Sequence, residues 1–316
     1  MSMDWLSFRV RLRETTRADA FKERFAAEGV SWVHPHNAGG GNAGTDFSVR
    51  IQNPSTYPQV HGLVEEINDW KGIAAPVAID GIEVSFDATP KEINQAAVED
   101  MTCRLMIELL PPIIYSNARL VGADTAALFL LSSRKCRISA DMTMYVGDWS
   151  KENSLPADGI AFRVYMKTRD DRQALPSSEH RARAEAIIAG SALRDYGLSS
   201  LSSLKEFKFE RLANLFRFAR PVPGRIEQYY ATHDDLGHLY YKQRGVDETA
   251  PACIINHLAR KDSRGRPVSK SHLLKIDPDL TGIARDQLRK LSVRFKGKPR
   301  MQSTLRTFIQ ADPVMH

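Results

Sequence analysis

Arg181-Ala182-Arg183-Ala184-Glu185-Ala186-Ile187-Ile188 can be read two ways, and the choice decides how the chain folds. As a helix the stretch has favourable alanines, and Ser177 or Ser178 stands where an N-cap belongs. Arg183 and Glu185 would then point in nearly opposite directions. As a strand it sets Arg183 and Glu185 on one face. On these residues alone the helix has a slight edge.

Two stretches upstream read as strands. Ile82-Glu83-Val84-Ser85-Phe86-Asp87 puts Ile82, Val84 and Phe86 on one face and Glu83, Ser85 and Asp87 on the other. Buried carboxylates need a cationic partner or a metal, whereas an antiparallel sheet can also leave such a face to water. Glu83 and Asp87, four residues apart, lie about 13 Å apart along a strand, so they cannot share one ion directly unless the strand bulges. Phe162-Arg163-Val164-Tyr165-Met166-Lys167 sets Arg163, Tyr165 and Lys167 together. Two cations beside a phenol attract a phosphodiester and favour the phenolate over a ring that ordinarily titrates near 10. The plainer alternative is a tyrosine among ordinary surface bases.

Further outward, strands are expected at 4–12, 31–34, 46–52, 77–87, 126–131, 135–146 and 160–167, and helices at 16–27 and 54–70. Thr89-Pro90-Lys91-Glu92 carries a capping box with proline at the first helical position, predicting a helix from there to about Leu110. Asn37 to Gly44 is a glycine-rich loop without the Gly-Lys-Ser/Thr of a phosphate loop. From Ser199 the pattern turns helical, with helices expected at 204–218, 224–242, 252–260 and 281–294. The expected architecture is α+β: an antiparallel sheet with helices on one face, followed by a basic helical C-terminal region. Residues 1–198 would form the first unit and 199–316 the second.

Charge follows that division. The chain carries 44 Lys/Arg and 38 Asp/Glu, a net +6. Residues 251–316 hold 14 Lys/Arg against 5 Asp/Glu, a net +9, so the first 250 sum to −3. A near-neutral body with a basic tail suits a polyanionic partner, though a solvated basic surface would look the same. The 42% apolar content supports a packed core. The longest clean apolar run, Ala126 to Leu131, is far short of the roughly 20 residues of a spanning helix, and the N-terminus does not read as a secretory signal. Cys103, Cys136 and Cys253 lack metal-ligand spacing. The expectation is a cytoplasmic protein with reduced thiols and no membrane partner.

The three charged stretches, in this order, resemble the replication initiation factor (Rep_trans) family of rolling-circle initiators of plasmids and filamentous phages, and related relaxases. The family's Arg-Leu/Ile-Asp-x-x-x-Asp strand looks like Gly81-Ile82-Glu83-Val84-Ser85-Phe86-Asp87 here. Its Tyr-x-Gly and Arg-x-Tyr-x-Lys elements look like Tyr145-Val146-Gly147 and Arg163-Val164-Tyr165-Met166-Lys167. Its Arg-x-Glu looks like Arg183-Ala184-Glu185, and Asp4-Trp5-Leu6-Ser7 is similar to its first strand. The resemblance spans roughly residues 3 to 200. It departs at Glu83, where the family usually has Asp, and at Gly81, where it has Arg. The Arg-x-Ser after Tyr-x-Gly is missing, and Met166 replaces a usual Asp or Asn.

The resemblance implies that 181–188 is a strand. It matches Tyr165 to a nucleophile assisted by Arg163 and Lys167, and Glu83, Asp87 and Glu185 to acids that hold Mg²⁺ or Mn²⁺. The implied partner is origin DNA, unpaired or in a hairpin at the nick and duplex nearby, with Arg183, Lys296, Lys298 and Arg300 as DNA contacts. A host helicase and a homodimer follow by the same analogy. A conjugative relaxase would use the same chemistry. A non-cleaving origin-binding protein would use the basic tail but give Tyr165 no role.

Overall fold

The computed structural model describes residues 1–38, 42–92, 94–112, 118–122, 128–129, 138–147, 149, 158–170, 173–222, 224–225, 251–258 and 273–297. Strands β1 (Ser2–Arg17), β2 (Val30–Pro35), β3 (Ala43–Gln52), β4 (Ala78–Ala88), β5 (Arg119–Val121), β6 (Leu128–Phe129), β7 (Thr143–Val146), β8 (Gly159–Lys167) and β11 (Arg181–Ala189) form one sheet. Their order is β2-β3-β1-β4-β11-β8-β7-β5-β6, and every pairing is antiparallel. Two short strands, β9 (Arg169–Asp170) and β10 (Gln173–Ala174), pair beyond the end of β8. Helices α1 (Ala18–Arg24), α2 (Tyr57–Lys71), α3 (Gln95–Glu108) and α4 (Ser191–Asp195) pack on this sheet. The architecture is α+β, as the patterning predicts.

The alanine-rich stretch is a strand. Ala182, Ala184 and Ala186 are buried on β11 beneath α3, which packs on β11 and β8. Small side chains there admit the helix, and burial outweighs a helix preference of a few tenths of a kcal/mol per residue. The same apolar layer contains Leu6, Phe8, Phe47, Val49, Val84, Phe86, Phe162 and Val164, so the opposite faces of these strands carry the polar residues.

Several expected boundaries move. Helix α3 begins at Gln95, not at Pro90, because β4 runs through Ala88. The cap is Asn94, whose side chain accepts from Ala97 N at 2.9 Å. Helix α1 is shorter than 16–27 because β1 continues through Arg17. The strand expected over 135–146 is seen only at Thr143–Val146 among the described residues. The helix expected over 204–218 divides into α5 (Leu201–Glu206) and a 3₁₀ segment, Phe209–Phe216. Phe209, Leu212 and Leu215 are all buried, and their spacing of three fits the three residues per turn of that helix. Residues 226–242 and 259–260 lie outside the described residues.

Beyond these come β12 (Ala219–Pro221), α6 (Ala252–Leu258), β13 (Leu274–Ile276) and α7 (Pro278–Lys296). Helix α7 packs on the 3₁₀ segment and on α2; its Phe295 meets Phe209 with ring centroids 5.4 Å apart. Leu280, Ala284, Leu288 and Phe295 join the same apolar core as the sheet. Among the described residues no helix is long and apolar enough to cross a membrane.

Candidate active site

Register brings the three charged stretches onto one face. Tyr165 on β8 lies opposite Arg183 on β11, which lies opposite Asp87 on β4. Arg163 lies opposite Glu185, and Glu185 opposite Ser85. On the far side of β4, Glu83 pairs with Trp5 of β1. Between Met3 and Trp5 the β1–β4 ladder shifts register by one residue, so Asp4 is extra. Such a bulge re-aims side chains. Met3 stays in the core, while Trp5, which would otherwise share its face, turns to the polar side with Asp4.

The consequence is a group of three acids that the alternation of β4 alone does not indicate. Asp4, Glu83 and Glu185 each offer a carboxylate oxygen, and these atoms lie within 4.8 Å of one another. Glu83 and Glu185 are buried, at 5% and 1% exposure. Asp4 is fixed by the hydroxyls of Ser2 and Ser85, each donating at 2.8 Å, and by Arg183 Nη1 at 2.8 Å. Asp87 is not in this group. Arg183 grips it in a fork, Nε to Oδ1 at 2.6 Å and Nη2 to Oδ2 at 2.7 Å, and Arg181 adds a contact at 3.3 Å.

Tyr165 donates its hydroxyl proton to Glu185 Oε1 at 2.6 Å. Arg163 donates to the other oxygen of Glu185 at 2.5 Å, reaches Glu83 only at 3.9 Å, and lies 5.2 Å from the centre of the Tyr165 ring. Lys167, on the same face, pairs with Asp170 at 2.7 Å.

These contacts order the titrations. Burial, and then the neighbouring Glu185, push Glu83 up to about 8, with Arg163 offsetting only part of the rise. Burial also pushes Asp87 up, but the guanidiniums of Arg183 and Arg181 outweigh it and hold Asp87 below its ordinary value. The phenol of Tyr165 is pushed well above its usual value, by burial first and Glu185 second. The sequence pattern suggests the reverse, a phenolate favoured by flanking cations. The difference arises because burial of the ring and the adjacent Glu185 carboxylate outweigh the opposing pull of Arg163.

The three-acid cluster suits a hard divalent cation. All its donors are oxygens, and Glu83 has no base closer than 3.9 Å among the described ion pairs. Arg183, expected as a DNA contact, is 3% exposed, with its guanidinium spread over Asp87 and Asp4. It therefore holds the acids in place and is not free for a phosphate. Lys296 is exposed at the end of α7 and donates to the carbonyl of Glu206 at 3.3 Å. Lys298 and Arg300 lie outside the described residues. The residue that motif reading passed over is Asp4. Its signal was the Asp4-Trp5-Leu6-Ser7 opening, but only the bulge aims its carboxylate.

No family model matches the chain, and no curated protein does. One solved structure similar to it is the rolling-circle replication initiator protein from Geobacillus stearothermophilus. The match has 14% identity and a TM-score of 0.31, over 61% of this chain and 76% of that one.

Proposed function

We propose that this chain nicks and rejoins DNA through Tyr165 and acts as a rolling-circle replication initiator. The observation that carries the reading is the Tyr165 hydroxyl, already sharing its proton with Glu185 at 2.6 Å beside a three-carboxylate cluster.

Tyr165 Oη would attack the scissile phosphorus in line. The new Oη–P bond replaces the bond from phosphorus to the 3′ oxygen, leaving a 5′-phosphotyrosyl protein and a free 3′-hydroxyl end. The phenolic proton passes to Glu185, its present acceptor, and a proton is returned to the departing 3′ oxygen. Covalent catalysis divides a hard displacement into two easier ones and conserves the phosphodiester energy for rejoining. Asp4, Glu83 and Glu185 would hold Mg²⁺ or Mn²⁺, which supplies positive charge to a non-bridging phosphoryl oxygen. Arg163 orients Glu185 and flanks the phenol, and Lys167 adds positive charge toward the phosphate. Asp87 and Arg183 act one step removed, by fixing Asp4. Unpaired origin DNA is the substrate, and the basic α7 region, with Lys296, holds nearby duplex through phosphates.

The test is Tyr165→Phe on supercoiled and hairpin origin DNA. The variant should lose the covalent protein–DNA adduct and keep its DNA affinity. An undiminished adduct sinks the assignment. Binding without any adduct in the wild-type protein makes it a non-cleaving DNA-binding protein instead.

A further inference from the structure

The polar face does not end at the acid cluster. It continues across β1 and β3 to the edge strand β2, where its character changes from ionic to aromatic. Arg50 on β3 lies opposite Ser7 of β1 on one side and Trp32 of β2 on the other. Its guanidinium carbon sits 4.5 Å from the ring centre of Trp5 and 5.0 Å from that of Trp32. Trp32 in turn stacks on His34, centroids 5.5 Å apart and planes within 7°.

A second bulge, between Val30 and Trp32, makes this possible. It leaves Val30 in the core and turns Trp32 outward. Trp32 is 40% exposed, one of few large apolar side chains so exposed among the described residues. Arg50 lacks the carboxylate partner that each arginine near Tyr165 has. Its Nε is buried without a hydrogen-bond partner, and no ion pair is formed by its side chain among the described residues. Arg9 and Arg11, also on this face, are about half exposed or more; both pair with Asp46, and Asp80 acts on Arg9 from further away. A planar exposed ring beside a guanidinium set between two rings, with the half-exposed guanidiniums of Arg9 and Arg11 nearby, matches the two parts of an unpaired nucleotide, its base and its phosphate.

We propose that Trp32, with Arg50 and His34, is a stacking platform for an unpaired base of the DNA strand whose phosphate lies at Tyr165. This extends the nicking reading and rests on it. Trp5 links the two regions, since it pairs with Glu83 on one side and supports Arg50 on the other. From the Tyr165 strand β8 to the Trp32 strand β2 is five inter-strand steps, about 24 Å. A single strand several nucleotides long spans that distance; a dinucleotide does not.

The experiment measures affinity for labelled oligothymidylates of increasing length, in chelator, with Tyr165→Phe as the parent so that no cleavage intervenes. Trp32→Ala should weaken binding of long oligomers about tenfold and leave short oligomers and duplex unchanged, as loss of one stacked base requires. Trp32→Phe, which keeps a π face, should bind within about threefold of the parent. Because Trp32 sits at the sheet edge, circular dichroism of the alanine variant should be unchanged. Equal affinity of Trp32→Ala and parent at every length overturns the platform, as does an equal loss on duplex. The two readings separate cleanly. A Tyr165→Phe protein that still forms adduct refutes the chemistry while leaving a length-dependent Trp32 effect standing, and the reverse pattern refutes the platform alone.

Discussion

Two ion clusters with buried acids hold this molecule, and they are built on different principles. One ties α3, β12 and α7 together. Arg104 and Arg220 each contact both Glu108 and Asp277, at 2.5–3.0 Å, so two bases face two acids. The other lies on the polar face of the sheet, where Arg163 and Arg183, with Arg181 at the margin, face Asp4, Glu83, Asp87 and Glu185. The first is balanced in number, two bases to two acids, because an unpaired buried charge is costly, and only burial of Glu108 still pushes a carboxyl there above its ordinary value. The second carries an excess of acid, concentrated at Glu83. Strain of that kind persists where function requires it, and a bound cation would relieve it.

The largest effect expected from this contrast is on activity. Glu185→Gln keeps the side-chain shape but removes the proton acceptor of Tyr165 and one ligand of the proposed cation. Cleavage should fall by about a hundredfold or more, and the residual rate should need more Mn²⁺ or Mg²⁺. If Glu185→Gln cleaves at the wild-type rate, and does so equally well in chelator, the acid-rich cluster is not catalytic and the comparison loses its meaning.

Stability provides a sharper, opposite-signed test. Unfolded Glu83 titrates near 4.5, but folded Glu83 is held up to about 8. The folded state therefore binds the extra proton between those values, and stability falls as pH rises through that window. Glu83→Gln removes the penalty, so in chelator at neutral pH it should raise stability by up to ~3 kcal/mol. Added Mg²⁺ or Mn²⁺ should raise the melting temperature of the wild-type protein and do little for the variant. A Glu83→Gln protein that melts below wild type in chelator contradicts the view that this carboxylate is under-compensated.

Much of this arrangement is legible before folding, and the misses share a cause. Period-two alternation places Glu83, Arg163 and Tyr165 on polar strand faces from the residues alone. Arg183 and Glu185 join them only once 181–188 is taken as a strand, which local propensity argues against and the packing of α3 imposes. Alternation cannot anticipate a bulge. Asp4, and Trp5 and Trp32 with it, are turned toward the polar face by one-residue register shifts that exist only in the paired ladder. Nor does a motif reveal which acid an arginine will grip: Asp87 and Glu83 stand on the same face of one strand, yet cross-strand register gives Asp87 to Arg183 and leaves Glu83 nearly alone. The Thr89 capping box fails because strand and helix signals overlap there, and Asn94 caps once the chain has turned.

The smallest predicted effect belongs to the balanced cluster and fixes the sign on that side. Asp277 caps α7, accepting from Leu280 N at 3.0 Å, and is held by both arginines. Burial pushes its carboxyl up. The Leu280 N–H and Arg104 more than offset that, leaving it at about 2. An acid depressed in the folded state contributes stability above its unfolded value near 4 and loses it as pH falls toward 2. That contribution is roughly 2 kcal/mol. Asp277→Asn retains the cap but gives up the charge pairing, so it should lower stability by about that amount at neutral pH and flatten the acid limb of the stability curve. Where Glu83→Gln should stabilise, Asp277→Asn should destabilise. If both substitutions move the melting temperature in the same direction, charge balance does not distinguish the clamp from the site, and another cause must be found for the acids gathered beside Tyr165.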